Sequence, residues 1–200
     1  MTKTIDYYFA PHSPWVYLGH ARLLRLAERH GAVIEPKPVD LGVIFGESGG
    51  LPLAKRAPQR QAYRLQELAR WSDFLGVPMN VQPAFFPVDP TAASLLLVAA
   101  REQEGAAQAL ELAGAIHRAV WAEQRDIADM TTLHELADEC GLDGAALLVA
   151  AAATATQQRY EAFTREAQEA GVFGAPWYVV DGQGFWGQDR LDFVERLLQG

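Results

Sequence analysis

Ser13 is the residue around which chemistry could be organised, because the run Ile5-Asp6-Tyr7-Tyr8-Phe9-Ala10-Pro11-His12-Ser13-Pro14-Trp15-Val16-Tyr17 changes its period there. Ile5, Tyr7 and Phe9 alternate with Asp6 and Tyr8 as a short strand requires, and Pro14 stands where a helix takes its first residue. Ser13 is then the N-cap. A hydroxyl at that place borders the unpaired N–H groups and partial positive charge of a helix start. It can cap the helix, or it can hold an anion that belongs to another molecule. Spacing alone favours the cap, since serine is a common capping residue. His12 reads as a loop histidine with the option of orienting a carboxylate or a carbonyl. Cys140 is the only cysteine, which excludes an intramolecular disulfide and a Cys-x-x-Cys redox pair. Any thiol chemistry requires a thiol brought in from outside.

The elements that must position Ser13 follow from hydrophobic period and punctuation. Val16, Leu23, Leu24 and Ala27 share one face of the first helix, and His30-Gly31 stops it. Val33 to Val39 is a second extended segment with Pro36 and Pro38, which suits an edge. A parallel strand–helix–strand unit results. Phe45 to Ala57 reads as a Gly/Pro/Lys/Arg loop, and Pro58 opens a helix through Tyr63, Leu68 and Trp71 that Gly76 and Pro78 end. Asp89-Pro90 begins another, running to Gly105, and Ala106 to about Gln124 the next. Thr132-Leu133-His134-Glu135 has capping-box spacing for a short helix, Asp143 starts an Ala-rich one, and Gln157 to Ala170 completes the block. About 110 to 120 consecutive residues are helical, too many for a simple crossover, so an inserted helical subdomain is expected over residues 41–170, with 1–40 and 171–200 forming the sheet domain. Trp177 to Val180 and Gly184 to Gly187 are strands joined at Asp181-Gly182, and Asp189 to Leu198 is the last helix. The order βαβ, helices, ββα is that of a thioredoxin-like α/β sheet interrupted by a large all-helical insertion.

Two hundred residues, half of them hydrophobic, suit one compact domain or one carrying a large insertion. A formal net charge of −8 argues against a nucleic-acid partner, which would need a basic face. The first residues enter a strand at once, without the apolar core of a signal peptide, and the aliphatic stretch Ala145 to Ala153 is too short to span a bilayer. A soluble, cytoplasmic chain with no membrane partner is expected. His20, His30, His117 and His134 show no ligand spacing, so no metal is expected, and Gly46 to Gly50 lack the strand-to-helix context of a phosphate loop.

The Ser13-Pro14-aromatic-x-Tyr17-Leu18 start resembles that of the 2-hydroxychromene-2-carboxylate isomerases. So do the Pro58-Gln59-Arg60 to Trp71 helix ending in Gly76-Val77-Pro78, the Gly171-Val172-Phe173-Gly174-Ala175-Pro176 loop and the Phe185-Trp186-Gly187-Gln188-Asp189-Arg190-Leu191 ending. These enzymes group with the kappa-class glutathione transferases in the DsbA-like branch of the thioredoxin fold. The resemblance covers essentially the whole chain. It implies a glutathione-dependent isomerase of aromatic catabolism that interconverts 2-hydroxychromene-2-carboxylate and trans-o-hydroxybenzylidenepyruvate, and it implies a homodimer.

It also implies roles. Ser13 would hold the glutathione sulfur as a thiolate. Pro176 would be cis and present the backbone of Ala175 to the tripeptide, the bland alternative being an ordinary loop proline. Asp189, with Gln188 beside it, resembles the position that binds the γ-glutamyl ammonium, although an aspartate there can equally cap a helix. Arg60 aligns with a basic position of the glutathione site, and Arg64 lies one turn on, where an ordinary exposed arginine is equally expected. Trp15, Tyr17, Phe85, Phe86 and Trp186 could wall an aromatic substrate, or simply pack. The chain departs from several relatives in having Gly49 and Gly50 where those carry an asparagine. Two other readings remain: a kappa-like transferase or peroxidase using the same serine, and a non-catalytic thioredoxin-like binding module.

Overall fold

Strand β1 (Thr4–Phe9) is the centre of the molecule, because nearly every side chain on it is covered. Ile5, Tyr7 and Phe9 are fully buried on one face, and Tyr8 is 3 % exposed on the other. A strand buried on both faces must lie inside a sheet with helices above and below. In the computed structural model, which describes residues 2–199, the sheet order is β2-β1-β3-β4. β2 (Val33–Pro38) runs parallel to β1, with Thr4 opposite Val33 and Phe9 opposite Pro38. Its two prolines are tolerated because β2 is an edge. β3 (Trp177–Val180) is antiparallel to β1 with Tyr8 opposite Trp177, and β4 (Gln183–Trp186) follows through a two-residue turn. Asp181 and Gly182 in that turn both have positive φ, 49° and 76°, as the tight hairpin of right-twisted strands demands.

Helix α1 (Pro14–His30) covers the Ile5/Tyr7/Phe9 face together with α5 (Ala106–Trp121) and α9 (Leu191–Gln199). The Tyr8/Trp177 face is covered by α2 (Leu41–Ser48) and α8 (Thr154–Glu169), with α4 (Thr91–Glu104) reaching both cores. Buried residues of α4, α5, α6 (Met130–Glu139) and α7 (Gly144–Ala151) join the same core as the sheet, so the helical block packs directly on it. On the second face the Lys37 ammonium, its side chain 14 % exposed, lies 3.1 Å from Asp6 and 3.0 Å from Glu166, tying β1, β2 and α8 together.

Several expected boundaries move. The expected loop Phe45 to Ala57 begins only at Gly49, because the Asp40 carboxylate accepts from the N–H groups of Gly42 (2.7 Å) and Val43 (3.2 Å) and starts α2, while buried Ile44 anchors it. Leu53–Lys55 adds a 3₁₀ turn before α3 (Pro58–Leu75). α5 ends at Trp121 rather than near Gln124, and α8 starts at Thr154 rather than Gln157. α6 is capped by Asp129, which accepts from the Thr132 N–H at 3.0 Å, so Thr132 is inside the helix and not its cap. Asp189 lies in a 3₁₀ turn, Gln188–Arg190, instead of opening the last helix. Among the described residues no helix is long and apolar enough to cross a membrane.

Candidate active site

The registers bring the sequence-distant candidates to one end of the sheet. β1 ends where β3 begins, and β4 ends there too, with Trp177 opposite Trp186. The loops Ala10–Ser13, Ala175–Pro176 and Gly187–Asp189 therefore share the carboxyl end of the central strand, where ligands of open α/β sheets bind.

Ser13 caps α1 as its position demands: φ is −78° and ψ 126°, and Pro14 follows at the first helical position. Its Oγ accepts from the Val16 N–H at 3.4 Å, a long bond, and its own O–H is committed to no acceptor among the described residues. No acidic side chain lies in the first turn of α1, so nothing there offsets the positive helix end. The serine is 7 % exposed, and the Ser13 N–H bonds the Ala10 carbonyl at 3.0 Å, holding the loop tight.

The Ala175–Pro176 bond is cis, with Pro176 buried and Ala175 half-buried. The Pro176 carbonyl accepts from the Gly187 N–H at 2.9 Å, which laces this loop to the turn carrying Asp189. Gly187 has φ 104°, and a Cβ on it would stand 2.5 Å from the Asp189 carboxylate, so glycine is required. Asp189 is exposed, with Oδ2 2.9 Å from Arg190. Gln188 faces the other way. It is 2 % exposed, and its Oε1 accepts from Arg22 Nη1 at 3.0 Å. Its side chain braces α1, and only Asp189 of this pair faces outward.

Arg60 is exposed on α3. Arg64, one turn on, is drawn inward, its guanidinium carbon 5.2 Å from the Phe86 ring centre and 5.8 Å from that of Trp121. Burial, then the nearby Arg56 cation, holds Arg64 down to about 10, so it stays charged at neutral pH. Phe86 in turn stacks with His12, centroids 6.4 Å apart and planes 25° apart. The Nδ1 of His12 is enclosed without a partner among the described residues, and burial holds its imidazole down to about 4. Spacing could not single out His12 or Arg64; the signal is the ring they share, which only the folded chain assembles. Of the other aromatics, Tyr17 donates its O–H to the Pro78 carbonyl at 2.6 Å, and Trp186 closes over Gly174, where a Cβ would stand 2.6 Å from its Nε1.

Beneath the loop, His20 donates from Nε2 to the Leu110 carbonyl at 2.9 Å and lies 3.4 Å from the Tyr7 hydroxyl. His117 is fully buried, 5.0 Å from His20 between ring centres, and neither of its nitrogens has a partner among the described residues.

Residues 4–199 match the family described as DSBA-like thioredoxin domain. The chain is 36 % identical over 201 residues to a 2-hydroxychromene-2-carboxylate isomerase of Sphingobium xenophagum, covering 99 % of each. It is 30 % identical to the same-named enzyme of Pseudomonas putida, over 97 % of this chain and 93 % of that one. A solved structure of a 2-hydroxychromene-2-carboxylate isomerase superposes with a TM-score of 0.85 at 26 % identity, over 98 % and 94 % of the two chains.

Proposed function

We propose that this chain, which belongs to the 2-hydroxychromene-2-carboxylate isomerase family of DSBA-like thioredoxin domains, interconverts 2-hydroxychromene-2-carboxylate and trans-o-hydroxybenzylidenepyruvate with glutathione as its cofactor. The observation that carries this reading is a buried serine hydroxyl with an uncommitted proton at the start of α1, in a fold that has no cysteine there.

Opening the chromene ring leaves a conjugated double bond that must turn, which a full double bond does not do at useful rates. When bound, glutathione supplies a thiol whose anion adds reversibly to such a bond, permits rotation and leaves unchanged. The protein's part is to keep that thiol ionised. Free cysteine-type thiols have a pKa of about 8.5. A hydrogen bond donated by Ser13 to a charged sulfur is worth about 1.5–3 kcal/mol, and the helix start adds about 0.3–1 kcal/mol. At about 1.4 kcal/mol per pKa unit the two lower the thiol by roughly 1–3 units. Ser13 donates and does not attack. Asp189 is assigned the γ-glutamyl ammonium, Arg60 a glutathione carboxylate, and the backbone of Ala175 beside Pro176 the extended tripeptide.

The test follows the ultraviolet change on interconversion, with and without glutathione, in the wild type and Ser13→Ala. Omitting glutathione removes most of the activity, and Ser13→Ala lowers it at least about tenfold, or ~1.4 kcal/mol. Many turnovers per glutathione exclude a transferase. Turnover unaffected by both changes rejects the assignment.

A further inference from the structure

Lys55, Arg56, Arg60 and Arg64 lie within ten residues of a chain whose formal net charge is −8, and among the described residues none of the four forms an ion pair. Other cations are neutralised closely, Arg101 with Glu35 at 2.7 Å, Arg125 with Glu135 and Glu139 at 2.9 and 3.0 Å, and Lys37 as described; Arg25, Arg165 and Arg196 are also unpaired among the described residues, but they are exposed and far apart in sequence. An unneutralised cluster whose inward member, Arg64, reaches the ring that packs on His12 at the carboxyl end of the central strand is a place for anions.

Arg64 is the member of the cluster that is drawn inward. A guanidinium that has lost part of its water and gained no carboxylate is left short of partners. Phe86 and Trp121 hold the guanidinium in place, and no hydrogen bond to a described residue occupies its N–H groups, which suit the two-pronged grip of a carboxylate. The same Phe86 ring carries His12, the neighbour of Ser13, with its enclosed and unpartnered Nδ1. Cation, aromatic ring, imidazole and serine are thus linked in sequence from α3 to the start of α1.

We propose that Arg64 holds the carboxylate of the aromatic substrate, with Phe86 against the substrate ring, while Arg60 is left for glutathione. The substrate carries one carboxylate, on the same carbon in the ring-closed and open forms. A seat that grips it throughout holds one end of the molecule still while the aryl end turns. The identity of that carboxylate rests on the isomerase reading; the anion seat itself does not.

The test uses chromone-2-carboxylate, a flat bicyclic acid, and chromone, its uncharged parent, titrated without glutathione into the full chain by calorimetry and tryptophan fluorescence. Arg64→Met weakens chromone-2-carboxylate at least tenfold, leaves the affinity for chromone and for glutathione unchanged, and Arg64→Lys falls between. In turnover, Arg64→Met raises the KM for the chromene more than it lowers kcat. Unchanged carboxylate affinity in Arg64→Met overturns the proposal, as does a loss confined to glutathione, or a wild type that does not bind chromone-2-carboxylate. A wild type that fails to isomerise the chromene, yet binds the acid through Arg64, overturns the isomerase reading and leaves the seat standing. Arg64→Lys, which keeps the charge and the stem, guards against a variant that merely misfolds.

Discussion

Gln188 and Asp189 are adjacent in the chain and divided in their work, because the 3₁₀ turn sends one side chain inward and the other out. Asp189→Asn is expected to raise the KM for glutathione by about tenfold through loss of an ammonium partner, with little change in thermal midpoint. Gln188→Ala is expected to do the reverse. Arg22 Nη1 loses the acceptor 3.0 Å away, at a cost of about 1–2 kcal/mol, while the KM for glutathione stays put. Steady-state kinetics beside urea unfolding separate the two. At this scale the sequence shows Ser13 readily, since proline and helical period mark a cap. It does not separate Arg60 from Arg64, which share a helix face at a spacing of four; Phe86, arriving from another segment, draws in only Arg64.

At the scale of elements, α1 packs tightly against the turn before α9. A Cβ on Gly19 would stand 2.7 Å from the Gln188 Cβ and 3.2 Å from the Tyr178 hydroxyl. Gly19→Ala therefore forces the two apart, with an expected loss of roughly 1–3 kcal/mol in urea unfolding and a raised KM for glutathione, because Asp189 moves with the turn. α2 tests a different contact. Asp40→Ala removes the acceptor for the Gly42 and Val43 N–H groups and is expected to cost about 1 kcal/mol, read from the denaturation midpoint. Helix α2 is hard to read from sequence because Gly42 and Gly46 lower its propensity, and its stability comes from Asp40 and from Ile44 packed in the second core. Helices with proline starts and glycine ends, α1 and α3, are legible because their signals are local.

For the whole molecule, the buried histidines couple folding to acid. Burial holds His20 at about 4 and His117 well below the ordinary imidazole value of 6.5, while the unfolded chain titrates near that value. Between about pH 6.5 and 4 the unfolded state binds more protons, so stability present above pH 6.5 is lost as pH falls. At pH 5 the loss is about 2 kcal/mol for a histidine such as His20, before the carboxylates contribute much. The urea midpoint is expected to drop between pH 7 and pH 5, and His117→Leu to shrink that drop. An unchanged difference in His117→Leu would show that His117 already titrates normally in the folded chain.

The sequence by itself determined the alternation of strand and helix, the capping serine and the absence of a resident thiol at the site, because each depends on residues within a turn or two of one another. Tertiary structure alone decided which of two arginines is partly desolvated, that Gln188 points inward, that α2 forms among glycines, and that two histidines lie buried beneath the loop while the Nδ1 of a third is enclosed within it. Those outcomes depend on burial and on partners tens of residues away, and the free energy of a charge or a polar atom is set by what surrounds it.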